Sequence, residues 1–112
     1  MNDTITETIQ VVTTASTRED VETIAREVVR KRLAACAQVS GPVTSYYWWK
    51  DELEKAQEWV CRIKTQRDLY DQLQDAIRAM HPYEVPEILA LPVVDGNPDY
   101  LQWLAEETAR DA

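Results

Sequence analysis

His81-Pro82-Tyr83-Glu84-Val85-Pro86-Glu87-Ile88-Leu89-Ala90-Leu91-Pro92 is the stretch from which the rest of the chain can be ordered. It holds the only histidine and three of the five prolines, and it joins a helical pattern to a strand-like one. Proline fixes φ, removes a backbone donor and pushes the residue before it towards extended geometry, so His81 and Val85 both fall outside a helix. Upstream, Leu69, Leu73, Ala76, Ile77 and Met80 recur at helical spacing and must stop at His81-Pro82. Downstream, Glu87 to Leu91 reads as a strand between two prolines, which places it at a sheet edge or keeps it short.

Working outward towards the N-terminus, Thr65-Gln66-Arg67-Asp68 has the form of a capping box for that helix. Leu53 to Thr65 is a long strand, with Trp59, Cys61 and Ile63 on one face and Val60, Arg62 and Lys64 on the other. Before it, Cys36 to Val39 and Val43 to Trp49 make a second strand interrupted by Gly41-Pro42, the mark of a bulge or bend. A tight turn at Lys50-Asp51 or Asp51-Glu52 joins the two.

Tyr46, Tyr47, Trp48 and Trp49 are consecutive, so alternation puts Tyr47 and Trp49 on one face and Tyr46 and Trp48 on the other. Helices can cover one face only, and the aromatic face left over points to a partner subunit. The stripe Val21, Ile24, Ala25, Val28 and Leu33 follows a capping box at Thr17-Arg18-Glu19-Asp20 and marks the first helix; Thr8 to Thr14 precedes it as a β-branched strand.

At the other end, Asp95-Gly96 turns the chain. Asn97-Pro98 then opens a terminal helix with Leu101, Leu104, Ala105 and Thr108 as its stripe and Trp103 beside it. The order is strand, helix, strand, strand, helix, strand, plus one helix. It predicts an α+β fold, a ferredoxin-like split βαβ sandwich with an added C-terminal helix, as a single domain over residues 1–112.

Composition narrows the function. Twenty acidic against twelve basic residues give a formal charge of −8, which repels nucleic acid phosphates and anionic headgroups. No stretch is long and apolar enough for a membrane span, and the polar start Met1 to Glu7 lacks the form of a secretory signal, so the expectation is a cytoplasmic protein with neither nucleic acid nor membrane as partner. Cys36 and Cys61 sit in apolar segments without CxxC spacing and read as reduced, buried thiols. With only Gly41 and Gly96 there is no phosphate-binding glycine loop, and no HExxH zinc helix is present. The expectation is therefore that the chain is not an enzyme.

His81 with Glu84 and Glu87 is the best candidate for chemistry, since imidazole and carboxylate suit copper or zinc. Against it stands a plainer reading, in which His81 caps the helix C-terminus and the two carboxylates stay solvated. One histidine and two carboxylates make a weak site unless several subunits pool their ligands.

These residues carry a resemblance. Arg32-Leu33-Ala34-Ala35-Cys36, Ser45, Tyr47, Trp49, Leu53-Glu54, Glu58, Lys64-Thr65, His81 to Ile88 and Tyr100-Leu101-Gln102-Trp103 together resemble the CutA divalent-cation-tolerance family. The resemblance implies a homotrimer with long strands of neighbouring subunits packed edge to edge, and a non-enzymatic role in tolerance of copper and other divalent cations. It implies no obligatory cofactor; weak binding of Cu(II) or another divalent cation through His81, with Glu84 or Glu87 assisting, is one expectation. The alternative is a ligand-sensing or scaffolding trimer like the PII signalling proteins, with a small molecule or partner protein in an inter-subunit cleft lined by Trp49, Lys64, Tyr83 and Glu87. Two positions depart from the family pattern: Asp51 stands where a glycine is usual, and Thr13 where some relatives carry a cysteine implicated in metal binding. Without that thiol, Cu(II) is expected over Cu(I).

Overall fold

A computed structural model describes residues 7–108; the polar start over residues 1–6 and the last four residues lie outside it. The elements are β1 (Thr8–Ala15), α1 (Arg18–Arg30), β2 (Cys36–Trp49), β3 (Glu52–Gln66), α2 (Tyr70–Met80), β4 (Ile88–Pro92) and α3 (Pro98–Thr108). The four strands form one antiparallel sheet in the order β2-β3-β1-β4, the ferredoxin-like arrangement read from the sequence.

Alternation along β1 and β3 builds the core. Ile9, Val11 and Ala15 on β1 and Cys61 and Ile63 on β3 meet Val21, Ile24 and Val28 of α1 and Leu73 and Ile77 of α2. The first helix is capped as its sequence predicts, the Thr17 hydroxyl accepting from Asp20 N–H at 3.1 Å. Its far end closes with the N–H of Leu33 on the Val28 carbonyl and that of Arg32 on the Val29 carbonyl, with Arg32 at φ 64°. Glycine is the usual residue there. Arg32 is used instead as a tie, its guanidinium donating to the Glu107 carboxylate of α3 at 2.6 Å.

The second capping box is not made. Thr65 and Gln66 are the last residues of β3, Arg67–Leu69 forms a single 3-10 turn, and α2 begins at Tyr70 with no side-chain cap. Tertiary partners take both side chains: the Thr65 hydroxyl donates to the Leu33 carbonyl, and the Gln66 amide to Thr108 Oγ1 of α3, at 2.7 Å each. For α3 the reading holds, with Asn97 Oδ1 accepting from Asp99 N–H and Pro98 in the first turn.

Two features shape the long hairpin. Gly41 lies at φ +147° within a register shift between Ser40 and Val43, so the break foreseen in β2 is a bulge inside one continuous strand. At the tip, Lys50 (φ 50°) and Asp51 (φ 67°) both take left-handed geometry, the conformation of a two-residue hairpin turn. β1 ends at Ala15, opposite Trp59, so among the described strands β3 from Glu52 to Glu58 pairs with β2 alone. This two-stranded overhang is about 23 Å long at 3.3 Å per residue. It raises the radius of gyration to 15.0 Å, with a longest dimension of 51 Å, where a compact chain of this size has about 13 Å.

Candidate functional site where the first strand ends

Near the end of β1 the segment from His81 to Glu87 meets two strands by side chain, His81 at Thr14 of β1 and Tyr83 at Glu58 of β3. Pro82 ends α2, leaving His81 extended at φ −78°, ψ 135°. Its ring does not cap α2. Nε2 lies 2.7 Å from the Thr14 carbonyl, which accepts, and Nδ1 accepts from Tyr83 N–H at 3.1 Å. These partners assign the proton to Nε2. They also engage both ring nitrogens, so His81 ligates a metal only by giving up one of the two bonds.

The next ring carries the segment across to β3. Tyr83 packs against His81 with ring centroids 4.9 Å apart, and its hydroxyl donates to Glu58 Oε2 at 2.8 Å. Glu58 is 6% exposed, a carboxylate nearly withdrawn from water beside a phenol. Burial, reinforced by the Glu58 carboxylate, pushes the Tyr83 hydroxyl well above the usual phenol range, so Tyr83 remains a donor throughout the physiological range. Nothing in the sequence marked Glu58 as buried. Its pairing with Tyr83, twenty-five residues away, is visible only in the fold.

The three residues read as metal ligands are divided by these contacts. Glu84 and Glu87 are exposed and His81 is half-buried in its hydrogen bonds. Among the described residues no group of three metal-ligating side chains converges. Thr13, at the position where some relatives carry a cysteine, is fully buried in the core opposite Cys61 and Ile88, and its hydroxyl has no hydrogen-bond partner among the described residues. A side chain there faces the helices. Cys61 beside it is buried too, and burial, with a smaller contribution from Cys36, pushes its thiol up to about 12. It is protonated and unreactive, as its apolar setting in the sequence led one to expect.

The four residues assigned to a cleft do not meet within one chain either. Trp49 stands opposite Glu52 at the hairpin tip, and Lys64 is twelve residues further along β3, about 40 Å away at 3.3 Å per residue. Tyr83 lies between them at Glu58, and Lys64 is bonded to the Gln38 side chain. A cleft containing all four needs the tip of one copy at the base of another.

A ferredoxin-like sandwich with an overhanging aromatic hairpin and a proline-braced segment at the end of its first strand defines a class of small α+β protein. The profile of the CutA1 divalent ion tolerance protein family matches residues 9–107. The chain belongs to that family. It is 42% identical over 98 residues to the divalent-cation tolerance protein CutA of Thermus thermophilus, covering 88% of this chain and 95% of that protein. To human protein CutA it is 51% identical over 85 residues, 76% of this chain and 48% of the relative, so it spans about half the length of that protein. Among solved structures, CutA1 of Oryza sativa superposes with a TM-score of 0.91 at 34% identity, covering 98% of this chain and all of that one. The Thermus thermophilus Cut A1 structure superposes with 0.88 at 40% identity, covering 90% and 98% respectively.

Proposed function

We propose that this member of the divalent-cation tolerance family acts as a non-catalytic homotrimer, and that any metal it takes is held weakly at carboxylates on the surface of the assembled trimer. The carrying observation is the overhang. Tyr46, Trp48 and Leu53 are 65, 72 and 62% exposed on one face of it, Tyr47 and Trp49 are exposed on the other, and among the described residues no strand pairs with the outer edge of β3 there. A two-stranded hairpin is marginal by itself in water, and this much exposed aromatic surface marks an association site. β4, at the opposite edge of the sheet, is short and carries exposed Leu89 and Leu91, which gives a neighbouring hairpin a place to lie.

For the metal, Glu84 and Glu87 are the free oxygen donors of the proline-braced segment, and His81 is its brace. Oxygen ligands of this kind favour Cu(II) and harder divalent ions over Cu(I). Two free cysteines suit a reducing compartment such as the cytoplasm. The test is calorimetric titration of metal-stripped protein with Cu(II), alongside native mass spectrometry to count copies of the 12.9 kDa chain. A trimer whose Cu(II) uptake falls at least about tenfold in E84Q/E87Q is expected, the loss of a charged ligand pair being worth at least that. A monomer, or unchanged uptake in the double variant, overturns the respective half of the proposal.

A further inference from the structure

We infer that the copies meet with the acidic overhang of one chain lying against the basic base of another. The inference rests on the self-association just proposed and adds what selects its register. Residues two apart on a strand share a face, so one face of β3 carries Glu52 and Glu54 in the overhang and Arg62 and Lys64 at the base. Glu58 lies between them, but it is nearly buried and already holds Tyr83, so it is left out of the pairing. Among the described residues none of these four charges has an oppositely charged partner: Arg62 donates to the Ser40 hydroxyl and Lys64 to the Gln38 side-chain oxygen, both neutral.

Distance forbids pairing within the chain. Glu52 is ten residues from Arg62, as Glu54 is from Lys64, and about 33 Å of strand separates the members of each pair. Screening in physiological salt acts within about 8 Å. Between chains the same spacing is complementary, since two acids two residues apart match two bases two residues apart. The other charges near the tip do not upset this. Lys50 lies over the Trp49 ring with Asp51 beside it in the turn, and Lys55 is on the opposite face over Tyr46. A chain of net charge −8 repels its own copies on average, so an arrangement that sets acid on base is the one in which its apolar hairpin can close. The occupant of the basic base is thus a second copy of this chain.

The experiment is sedimentation velocity of the full chain at about 0.05 M and about 0.5 M salt, with far-UV circular dichroism to check folding. The variants are E52K/E54K, R62E/K64E and the fourfold reversal. Each double reversal places like charges together and is expected to weaken association by about 100-fold or more at low salt, and less at high salt. The fourfold reversal restores the match and is expected to recover association to within about tenfold of the wild type. E54Q and K64Q, which keep size and remove charge, supply a double-mutant cycle with an expected coupling of about fivefold, should a reversal disturb folding.

Assembly unaffected by either double reversal, or a fourfold variant no better than the doubles, overturns the inference while leaving self-association standing. R62E/K64E weakened with E52K/E54K unchanged overturns it in favour of another anionic partner for the base. A wild-type chain that stays monomeric overturns self-association itself and this inference with it.

Discussion

Thr13 shows how one side chain can separate what a family resemblance joins. Its hydroxyl is fully buried in the core and has no partner among the described residues, opposite Cys61 on one side and Ile88 on the other. An unsatisfied buried hydroxyl costs about 1–3 kcal/mol, and valine fills nearly the same volume without it. Thr13→Val is therefore expected to stabilise the protein by about 1 kcal/mol, read from the denaturant midpoint; destabilisation would mean that the hydroxyl is bonded in solution. His81 is the complementary case. The prolines around it predict a braced turn outside the helix, which its extended backbone matches, and the local sequence leaves ligand or helix cap as its task. The structure gives it a different bond, to the Thr14 carbonyl at the end of a strand sixty-seven residues away. No local pattern encodes that contact, because it depends on where β1 stops and β4 has not yet begun.

Among the elements, patterns set by local sequence match the fold, and those that depend on tertiary partners do not. Alternation and helical periodicity located all four strands and three helices, and Thr17 and Asn97 cap as their sequences predict. The Thr65-Gln66-Arg67-Asp68 box failed because Thr65 and Gln66 bond Leu33 and α3, leaving α2 to start three residues after a 3-10 turn begins. Asp51 does take the positive φ that the family's glycine implied, and Lys50 joins it, a cost set by the tight turn. The bulge carries the element-scale prediction. A Cβ on Gly41 would lie 2.9 Å from Trp59 Cε3 and 3.2 Å from the Glu58 carbonyl, at a φ that side chains avoid. Gly41→Ala is expected to cost about 2 kcal/mol, read from the same denaturant midpoint, and to move Trp59 fluorescence as the indole shifts. An unchanged midpoint would show that the bulge relaxes freely.

For the whole molecule the fold follows from alternation in the strands, while the candidate site does not close inside one chain. Trp49 and Lys64 lie at opposite ends of the hairpin, and His81, Glu84 and Glu87 do not converge as three ligands. The first follows from the length of the hairpin, which runs past the core, and the second from the two hydrogen bonds that hold the His81 ring while Glu84 and Glu87 point to solvent. Aromatic residues on both faces of β2 predict a partner surface from the sequence alone, whereas the register proposed for that contact depends on charges ten residues apart on β3, which no local pattern brings together. In the proposed assembly another copy covers the overhang. Amide hydrogen exchange on the outer edge of β3 between Glu52 and Glu58 tests it most directly, since β2 bonds only the amides facing inward. Slow exchange at the outward-facing amides, lost on dilution to the monomer, is the predicted result; exchange there at unprotected rates while β1 and the Trp59–Gln66 half of β3 remain slow would contradict it.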